Sequence, residues 1–221
     1  TPVILLSDGY IANGAEPWRY PQSKDLPAIE VKFKTALDEG EEKYKPYARD
    51  QKLARPWAVP GTAGLEHRIG GLEKQNITGN VNYEPENHQL MVKLRQEKVD
   101  KIAEYIPEQK LDSGPEKGKI LVLGWGSTYG AIKSAVAEFQ ARGEAVSHAH
   151  LRYVRPFPRN LGALIKNFDK VLIPEINNGQ LIKIIRDTYL VDAKGYNKIM
   201  GVPITKTELV LCLEEMLGGK N

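Results

Sequence analysis

In the second half of the chain, short apolar segments alternate regularly with segments whose apolar positions have a helical spacing. Three short apolar segments predict strands buried on both faces, at residues 119–123, 145–151 and 170–173. Helical segments separate and follow them, at residues 131–139, 161–167 and 179–189, and the capping box Thr205-Lys-Thr-Glu208 begins a last helix. A fourth short strand is predicted around Lys198-Ile-Met200. This alternation indicates an α/β domain whose mostly parallel, open sheet is covered by helices on both faces, giving three layers.

The first half of the chain shows no such alternation. Val3-Ile-Leu-Leu6 is a continuous apolar run typical of a buried strand, but six prolines between residues 17 and 60 interrupt any regular element after it. Residues 61–85 are rich in Gly and Asn and predict an irregular, hairpin-like excursion, and residues 86–106 predict a helix. Because a buried strand needs neighbours, we expect the chain to begin inside a domain; the alternative is a strand that joins the edge of the downstream sheet.

Charge and cysteine content exclude several classes of protein. Lys and Arg total 31 against 28 Asp and Glu, which gives a net charge of +3. So small an excess does not indicate the clustered basic face of a nucleic-acid-binding protein. No apolar run reaches the roughly 18 residues of a membrane-spanning helix, so neither nucleic acid nor membrane is expected as a partner. The single cysteine, Cys212, excludes an intramolecular disulfide and predicts a buried thiol in a reducing, cytoplasmic compartment.

A glycine-rich turn after the first predicted strand is a candidate anion-binding element. Gly124 and Gly126 end the strand, and Ser127 and Thr128 precede a helix whose N-terminal amides are suited to an anion. A dinucleotide fingerprint needs G-x-G-x-x-G, but the third glycine, Gly130, comes one position late, and no carboxylate ends the second strand. Tight packing between strand and helix is the alternative explanation of these glycines.

Charged and polar side chains follow the second and third predicted strands. Arg152 and Arg155 come after the second strand, and Glu175 and Asn177 follow the third. Because the carboxyl edge of an open α/β sheet is where ligands bind, we expect these four residues to form a partner or domain interface. For the arginines, the alternatives are a bound phosphate or carboxylate, and pairing with nearby carboxylates in solvent. For Glu175, they are a catalytic carboxylate, and one that orders the loop before a helix.

Residue types for catalysis are sparse. His148 and His150 alternate on one predicted strand and therefore face the same side. Two imidazoles are too few for a zinc site, and no third residue has metal-ligand spacing to them. The sequence has no G-x-S-x-G elbow, no P-loop and no cysteine with a plausible histidine partner. From the residues alone we assign no catalytic and no metal-binding residue.

Several segments, taken in chain order, resemble one protein family. They are Pro2-Val-Ile-Leu-Leu-Ser-Asp-Gly-Tyr-Ile11, Glu16-Pro-Trp18, Gly61-Thr-Ala-Gly-Leu-Glu-His67, Asn87-His-Gln-Leu-Met-Val-Lys-Leu-Arg95, Gly124-Trp-Gly-Ser127, Arg155-Pro-Phe-Pro158 and Pro174-Glu-Ile-Asn-Asn-Gly-Gln180. Together they resemble the α subunit of 2-oxoacid:ferredoxin oxidoreductases, most closely the 2-oxoglutarate type. The resemblance covers essentially the whole chain and identifies it as a C-terminal fragment of such a subunit.

The resemblance implies a domain organisation. Residues 1–58 would hold the end of the pyrimidine-binding domain and a Pro-rich linker. Residues 59–112 would hold the hairpin and the connecting helix, and residues 113–221 a transketolase C-terminal-like domain. The chain departs from the family's T-G-L-E-H segment at its first residue. Ala63 occupies that position, and Thr62 comes one place earlier.

The resemblance also implies an activity. These enzymes convert a 2-oxoacid, coenzyme A and oxidised ferredoxin into the acyl-CoA, CO₂ and reduced ferredoxin, using thiamine diphosphate, Mg²⁺ and an iron–sulfur cluster. In the family a β subunit holds the diphosphate, the magnesium and the cluster, so we expect none of these cofactors on this fragment alone. The family's Y-P-I-T-P motif and activating glutamate would lie upstream, and we therefore expect the fragment to serve structure and subunit assembly, without activity alone.

Two other functions remain open at this point. One is a stand-alone nucleotide-binding α/β module centred on residues 124–130. The other is the C-terminal domain of a different thiamine enzyme, a transketolase or a dehydrogenase E1 β chain.

Overall fold

The computed structural model describes residues 3–68 and 71–218, which belong to two compact units. The first unit comprises Thr1–Glu16 and Ala103–Asn221, and the second comprises Pro17–Ile102. The helices are α1 (Gly9–Ala12), α2 (Pro85–Lys101), α3 (Tyr129–Ala141), α4 (Leu161–Ile165), α5 (Gln180–Tyr189) and α6 (Lys206–Leu217). The strands are β1 (Gly118–Trp125), β2 (Val146–Leu151), β3 (Phe168–Glu175) and β4 (Ala193–Asn197).

The first unit is built on a four-stranded sheet in the order β2-β1-β3-β4, with every pair parallel. The expected α/β fold with three layers and a parallel sheet is therefore confirmed. Strand β1 lies at the centre, and its residues 120–124 are all buried, as the continuous apolar run predicts. Its registers place Ile120 opposite Val146 of β2 and Leu121 opposite Val171 of β3.

Two apolar layers cover the sheet. On one face, Ile120 and Val122 of β1 pack with residues of α3 and α6, among them Phe139 and Leu209. On the other face, Leu121 and Leu123 pack with residues of α4 and α5, including Leu161, Ile165, Leu181 and Ile185. Successive residues of β1 thus serve opposite layers, which is the period-2 alternation of a strand buried on both faces. The half-buried thiol of Cys212 packs against the α3/α6 layer, and burial raises its pKa.

The position predicted for the fourth strand was wrong. The strand lies at Ala193–Asn197, whereas Ile199 and Met200 lie in the following loop with 65% and 74% of their surfaces exposed. An edge strand needs little apolar surface, and only Ala193 in β4 is fully buried. The apolar residues that suggested a strand therefore stand just beyond it.

The strand predicted at Val3–Leu6 is also absent. Residues 3–8 carry no regular structure, and the side chains of Val3, Ile4 and Leu5 are more than 80% exposed. None of the four strands in the described sheet pairs with this segment, so its backbone lacks the ladder that would make it a strand.

The second unit is largely irregular apart from α2. An antiparallel bridge joins Lys74 to Val81 within the predicted hairpin-like excursion. The Asn87 side chain of α2 fixes this excursion, because its Oδ1 accepts from the Asn76 N–H at 2.9 Å and its Nδ2 donates to the Lys74 carbonyl at 2.9 Å. Helix α2 buries Met91 and leaves Val92 exposed.

Candidate functional site

The sheet has a topological switch point between β1 and β3. From β1 the chain runs outward to β2 on one side and then returns to β3 on the other, so the loops after β1 and β3 diverge. Ligands of open α/β sheets bind in the crevice outside such strand ends. A crevice of about 310 Å³ lies there and is lined by Ser127 after β1, Ile176 after β3 and Lys198 after β4, with Asp8 and Gly9 also on its wall.

The polar groups around this crevice are mostly engaged within the chain. The ammonium of Lys198 contacts the Glu208 carboxylate at 2.8 Å and donates to the Pro203 carbonyl at 2.9 Å. Hydrogen bonds from Lys198 and Thr205 hold the pKa of Glu208 low, at about 2. The crevice therefore has the position of a ligand site but few free charges.

Glu175, at the carboxyl end of β3, is completely buried. Its Oε1 accepts from the Leu181 N–H at 2.9 Å and its Oε2 from the Ile182 N–H at 3.1 Å, both in the first turn of α5. A carboxylate at a helix N-terminus satisfies free N–H donors and complements the helix dipole. The Glu175 side chain thus orders the β3–α5 loop and is enclosed by the chain itself.

Asn177 belongs to the same loop. Its Oδ1 accepts from the Gln180 N–H at 2.9 Å, and its carbonyl accepts from Nδ2 of Asn197 at 2.9 Å. The side chain is half-buried, so one face remains accessible. Asn177 therefore joins the start of α5 to the end of β4.

Arg152 and Arg155 follow β2, and both side chains are exposed. The strand order separates β2 from β3 by β1, which puts the two strands roughly 10 Å apart. The structure therefore divides the four predicted interface residues into an exposed arginine pair after β2 and a loop-ordering pair, Glu175 and Asn177, after β3.

The glycine-rich turn after β1 is shaped by packing. A Cβ on Gly124 would overlap the Ile132 side chain and stand 2.9 Å from Nδ1 of His150. The buried Thr128 hydroxyl donates to the Trp125 carbonyl at 2.8 Å and is thereby committed to the turn. Gly126 has a positive φ of 59°, and a Cβ there would meet nothing within 4 Å. Gly124 thus serves the strand–helix contact, while Gly126 and the half-buried Ser127 face open space.

Two histidines and a tyrosine form a ring cluster beside this turn. The rings of His148 and His150 lie 5.7 Å apart, and Tyr129 at the start of α3 contacts both, at 5.2 and 5.0 Å. Nε2 of His150 lies 3.1 Å from the Gly126 carbonyl, whereas neither ring nitrogen of the buried His148 has a hydrogen-bond partner among the described residues. Burial lowers the pKa of His148 to about 4, which keeps the ring neutral.

A charged cleft in the second unit was not anticipated from the sequence. It has a volume of about 320 Å³, and its lining includes four basic side chains and three acidic ones, namely Lys34, Lys45, Arg49, Arg55, Asp38, Glu41 and Asp50. The guanidiniums of Arg49 and Arg55 lie 5.6 and 4.2 Å from the centre of the Tyr47 ring. The available signal was the density of basic residues around Tyr47, but no motif marks this segment.

Metal and membrane features are not found in the described residues. No group of three or more His, Cys, Asp or Glu side chains within residues 3–68 and 71–218 is arranged to hold a metal ion. Over the same ranges, no helix combines the length and the apolar character needed to cross a membrane.

Comparison with known proteins gives consistent similarities. Residues 118–207 match the family model of the pyruvate:ferredoxin oxidoreductase core domain II. Over its whole length the chain is 48% identical to the 2-oxoglutarate oxidoreductase subunit KorA of Mycobacterium tuberculosis, covering 33% of that protein. It is 30% identical, over 95% of its length, to subunit alpha of 2-oxoacid:ferredoxin oxidoreductase 1 of Aeropyrum pernix, again covering 33%.

A solved structure extends these similarities. The 2-oxoglutarate:ferredoxin oxidoreductase from Magnetococcus marinus, with 2-oxoglutarate, coenzyme A and succinyl-CoA bound, matches 89% of this chain with a TM-score of 0.78 and 28% identity. The match covers 34% of that structure's chain. The chain thus spans about a third of the length of these three relatives.

Proposed function

This chain belongs to the α subunits of the 2-oxoacid:ferredoxin oxidoreductases, and from that membership we propose that it is part of an enzyme that oxidises 2-oxoglutarate. The reaction joins 2-oxoglutarate and coenzyme A, releases CO₂ and succinyl-CoA, and passes two electrons to ferredoxin. The 48% identity to a 2-oxoglutarate oxidoreductase subunit along the entire chain is the observation that carries this proposal. We propose that the complex lies in the cytoplasm, in keeping with the single cysteine of this chain.

The cofactors of the complex are part of the same proposal. We expect thiamine diphosphate, Mg²⁺ and an iron–sulfur cluster in the intact enzyme. The residues of this chain do not fit the cluster, since Cys212 is its one cysteine and such clusters take several thiolates. The described residues also lack a grouped set of carboxylates for Mg²⁺. We therefore assign these ligands to other parts of the enzyme and derive no step through them from this chain.

The role we propose for the fragment itself is structural. The buried carboxylate at the carboxyl end of its strand β3, Glu175, orders a loop. The exposed Arg152 and Arg155 are our candidates for the interface with the β subunit, because arginine is the residue best suited to pairing with carboxylates across an interface. The half-buried Asn177, in the loop between β3 and α5, is our candidate for a further contact in that interface.

The alternative functions are not favoured. A stand-alone nucleotide-binding module is disfavoured because Gly124 packs against α3 and the Thr128 hydroxyl is committed to the turn. Membership of another thiamine enzyme is disfavoured because the relatives that align along almost the whole chain are oxidoreductase α subunits.

The interface assignment is tested by titrating the full-length α subunit with its β subunit. Arg155→Glu should weaken association at least tenfold, because reversal replaces attraction with repulsion at a facing carboxylate. Lys183→Glu, an equal charge change at an exposed position of α5, is the matched control and should leave the affinity unchanged. Unchanged affinity for Arg155→Glu would remove the assignment.

The activity is tested with the full-length α subunit and its β subunit. With 2-oxoglutarate and coenzyme A, we expect reduction of ferredoxin and formation of succinyl-CoA. Reduction of NAD in place of ferredoxin, or transfer to an aldose acceptor, would instead place the chain in another class of thiamine enzyme. Activity with pyruvate alone would contradict the proposed substrate.

A further inference from the structure

The loop that joins β3 to α5 contains an asparagine followed by a glycine, Asn178-Gly179. The side chain of Asn178 is exposed, and among residues 3–68 and 71–218 it has no hydrogen-bond partner. The neighbouring Asn177 is different, because its Oδ1 accepts from the Gln180 N–H at 2.9 Å and its carbonyl accepts from Nδ2 of Asn197 at 2.9 Å. The amide of Asn178 is thus accessible to solvent and not committed to the fold.

The backbone N–H of Gly179 is also uncommitted. The side chains of Asn177 and Glu175 accept from the three N–H groups that follow it, those of residues 180–182. The Gly179 N–H itself makes no hydrogen bond within the part of the chain that the structure describes. Since glycine has no Cβ, no side chain of this residue shields its nitrogen. The nitrogen next to the Asn178 amide is therefore available for reaction.

An asparagine amide can react with the backbone nitrogen of the next residue, and asparagine is one of the thermolabile residue types. After loss of its proton to hydroxide, the Gly179 nitrogen forms a bond to Cγ of Asn178, and the bond from Cγ to the amide nitrogen breaks. The amide leaves as ammonia, and a five-membered succinimide ring remains. Water then opens one of the two carbonyl–nitrogen bonds of the ring, which yields aspartate or isoaspartate. The reaction consumes water, releases ammonia and needs no oxidant.

The chain has a second pair of this kind, Asn13-Gly14, whose reacting groups are engaged. Nδ2 of Asn13 donates to the Gly9 carbonyl at 2.7 Å, and the Gly14 N–H donates to the Ile11 carbonyl at 3.1 Å. Both hydrogen bonds must break before the Gly14 nitrogen can attack the Asn13 amide. The two pairs thus have the same sequence and differ in the hydrogen bonds that the fold gives them.

We propose that Asn178, and not Asn13, is a site of spontaneous deamidation in the folded chain. The reaction places a carboxylate on the exposed part of the loop that leads into α5. In the isoaspartate product, the backbone between Asn177 and Gln180 gains a carbon atom, which disturbs the hydrogen bond between these two residues. The modification therefore acts on the β3–α5 loop, and it requires neither a substrate nor a second subunit.

The test follows both asparagines in the full-length α subunit during incubation at mildly alkaline pH, where hydroxide promotes loss of the amide proton. Peptide mass spectrometry measures the conversion of each asparagine to aspartate and isoaspartate. In the folded protein, Asn178 should convert roughly tenfold faster than Asn13, because two hydrogen bonds hold the Asn13-Gly14 pair. The same protein in urea is the reference, and there both pairs should convert at similar rates because unfolding removes these hydrogen bonds.

Two matched variants assign the product to its site. Asn178→Gln and Asn13→Gln each keep a side-chain amide but lengthen the side chain, which disfavours formation of the five-membered ring. Ion-exchange chromatography of the incubated wild type should show an acidic form that Asn178→Gln lacks and Asn13→Gln retains. Because the Asn178 side chain is exposed and makes no hydrogen bond within the described ranges, its substitution leaves the fold intact.

Either of two results would overturn the proposal. In the first, Asn178 stays unmodified in the folded protein while it converts in urea, which would show that the fold protects it. In the second, Asn13 converts at least as fast as Asn178 in the folded protein, which would show that its hydrogen bonds do not protect it. An acidic form that persists in Asn178→Gln and is lost in Asn13→Gln leads to the same conclusion as the second result.

Discussion

The carboxylate of Glu175 accepts a hydrogen bond from the backbone N–H of Leu181 at 2.9 Å, across the loop that joins β3 to α5. The other oxygen accepts from the next N–H, that of Ile182, at 3.1 Å. A side chain at the carboxyl end of a central strand thereby fills the place where an anionic ligand of an α/β fold would bind. The N–H groups at the start of α5 thus bind a carboxylate of the chain itself, where other α/β proteins bind a phosphate.

Replacing Glu175 by Gln should destabilise the protein. The two carboxylate oxygens face two N–H donors, whereas an amide presents one oxygen and one NH₂ group, which leaves a buried donor against a donor. We expect a loss of about 1–3 kcal/mol in the free energy of unfolding. Urea denaturation of the wild type and of Glu175→Gln measures it.

Asp169→Asn serves as the comparison for this substitution, because Asp169 is an exposed acid on the same strand. It should change the free energy of unfolding by less than about 0.5 kcal/mol. Equal stability of Glu175→Gln and the wild type would show that the buried carboxylate does not support α5.

Gly124 near the end of β1 and Gly130 in the first turn of α3 should respond oppositely to alanine. A Cβ at Gly124 would overlap the buried Ile132 side chain and crowd His150, so Gly124→Ala should cost about 1–3 kcal/mol. A Cβ at Gly130 meets nothing within 4 Å, and helix propensity should make Gly130→Ala neutral or more stable by up to about 1 kcal/mol. Thermal denaturation of the two variants distinguishes a glycine that packing requires from one that it does not. Equal effects at the two positions would contradict the packing role of Gly124.

Acid should weaken the fold through His148. Its pKa is lowered to about 4 by burial, so below the ordinary pKa near 6.5 the unfolded chain takes up a proton that the folded chain does not. Stability therefore falls as the pH drops from about 6.5 towards 4, by roughly 2 kcal/mol between pH 7.5 and 5. His148→Leu removes this contribution without breaking a hydrogen bond among the described residues.

The measurement is urea denaturation of the wild type and His148→Leu at pH 7.5 and at pH 5. The variant should lose less stability than the wild type over this interval. His150, Asp112 and Lys133 lie close enough to influence His148, and all three are retained in both proteins. Identical pH dependence of the two proteins would show that His148 is accessible to protons in the fold.

The sequence predicted the sheet well where strands are buried on both faces. The run Ile120–Leu123 is apolar throughout because both neighbouring layers pack against it. Strand β4 was predicted too far along the chain, because an edge strand buries little and its apolar neighbours Ile199 and Met200 lie in the following loop. Val3–Leu6 has the composition of a strand but no partner among the four strands of the described sheet.

The candidate sites were harder to predict because they depend on which groups contact one another in the folded chain. Nothing local to Glu175 shows that both its oxygens are taken by α5, since that requires knowing how the loop folds back. The cleft lined by Arg49 and Arg55 also contains Asp38, Glu41 and Asp50, and no local sequence pattern predicts the ion pairs and hydrogen bonds of these carboxylates. The approach of Arg49 and Arg55 to one ring follows from a loop without regular periodicity, where sequence patterns carry little information.

We propose that this chain is part of a 2-oxoglutarate:ferredoxin oxidoreductase. This is tested most directly by the electron transfer that the full-length α subunit catalyses with its β subunit, following ferredoxin reduction and succinyl-CoA together. We expect reduction to require both 2-oxoglutarate and coenzyme A, with one succinyl-CoA formed for every two electrons transferred. Absence of 2-oxoglutarate-dependent reduction in an intact, cofactor-loaded complex, or reduction that proceeds equally without coenzyme A, would contradict it.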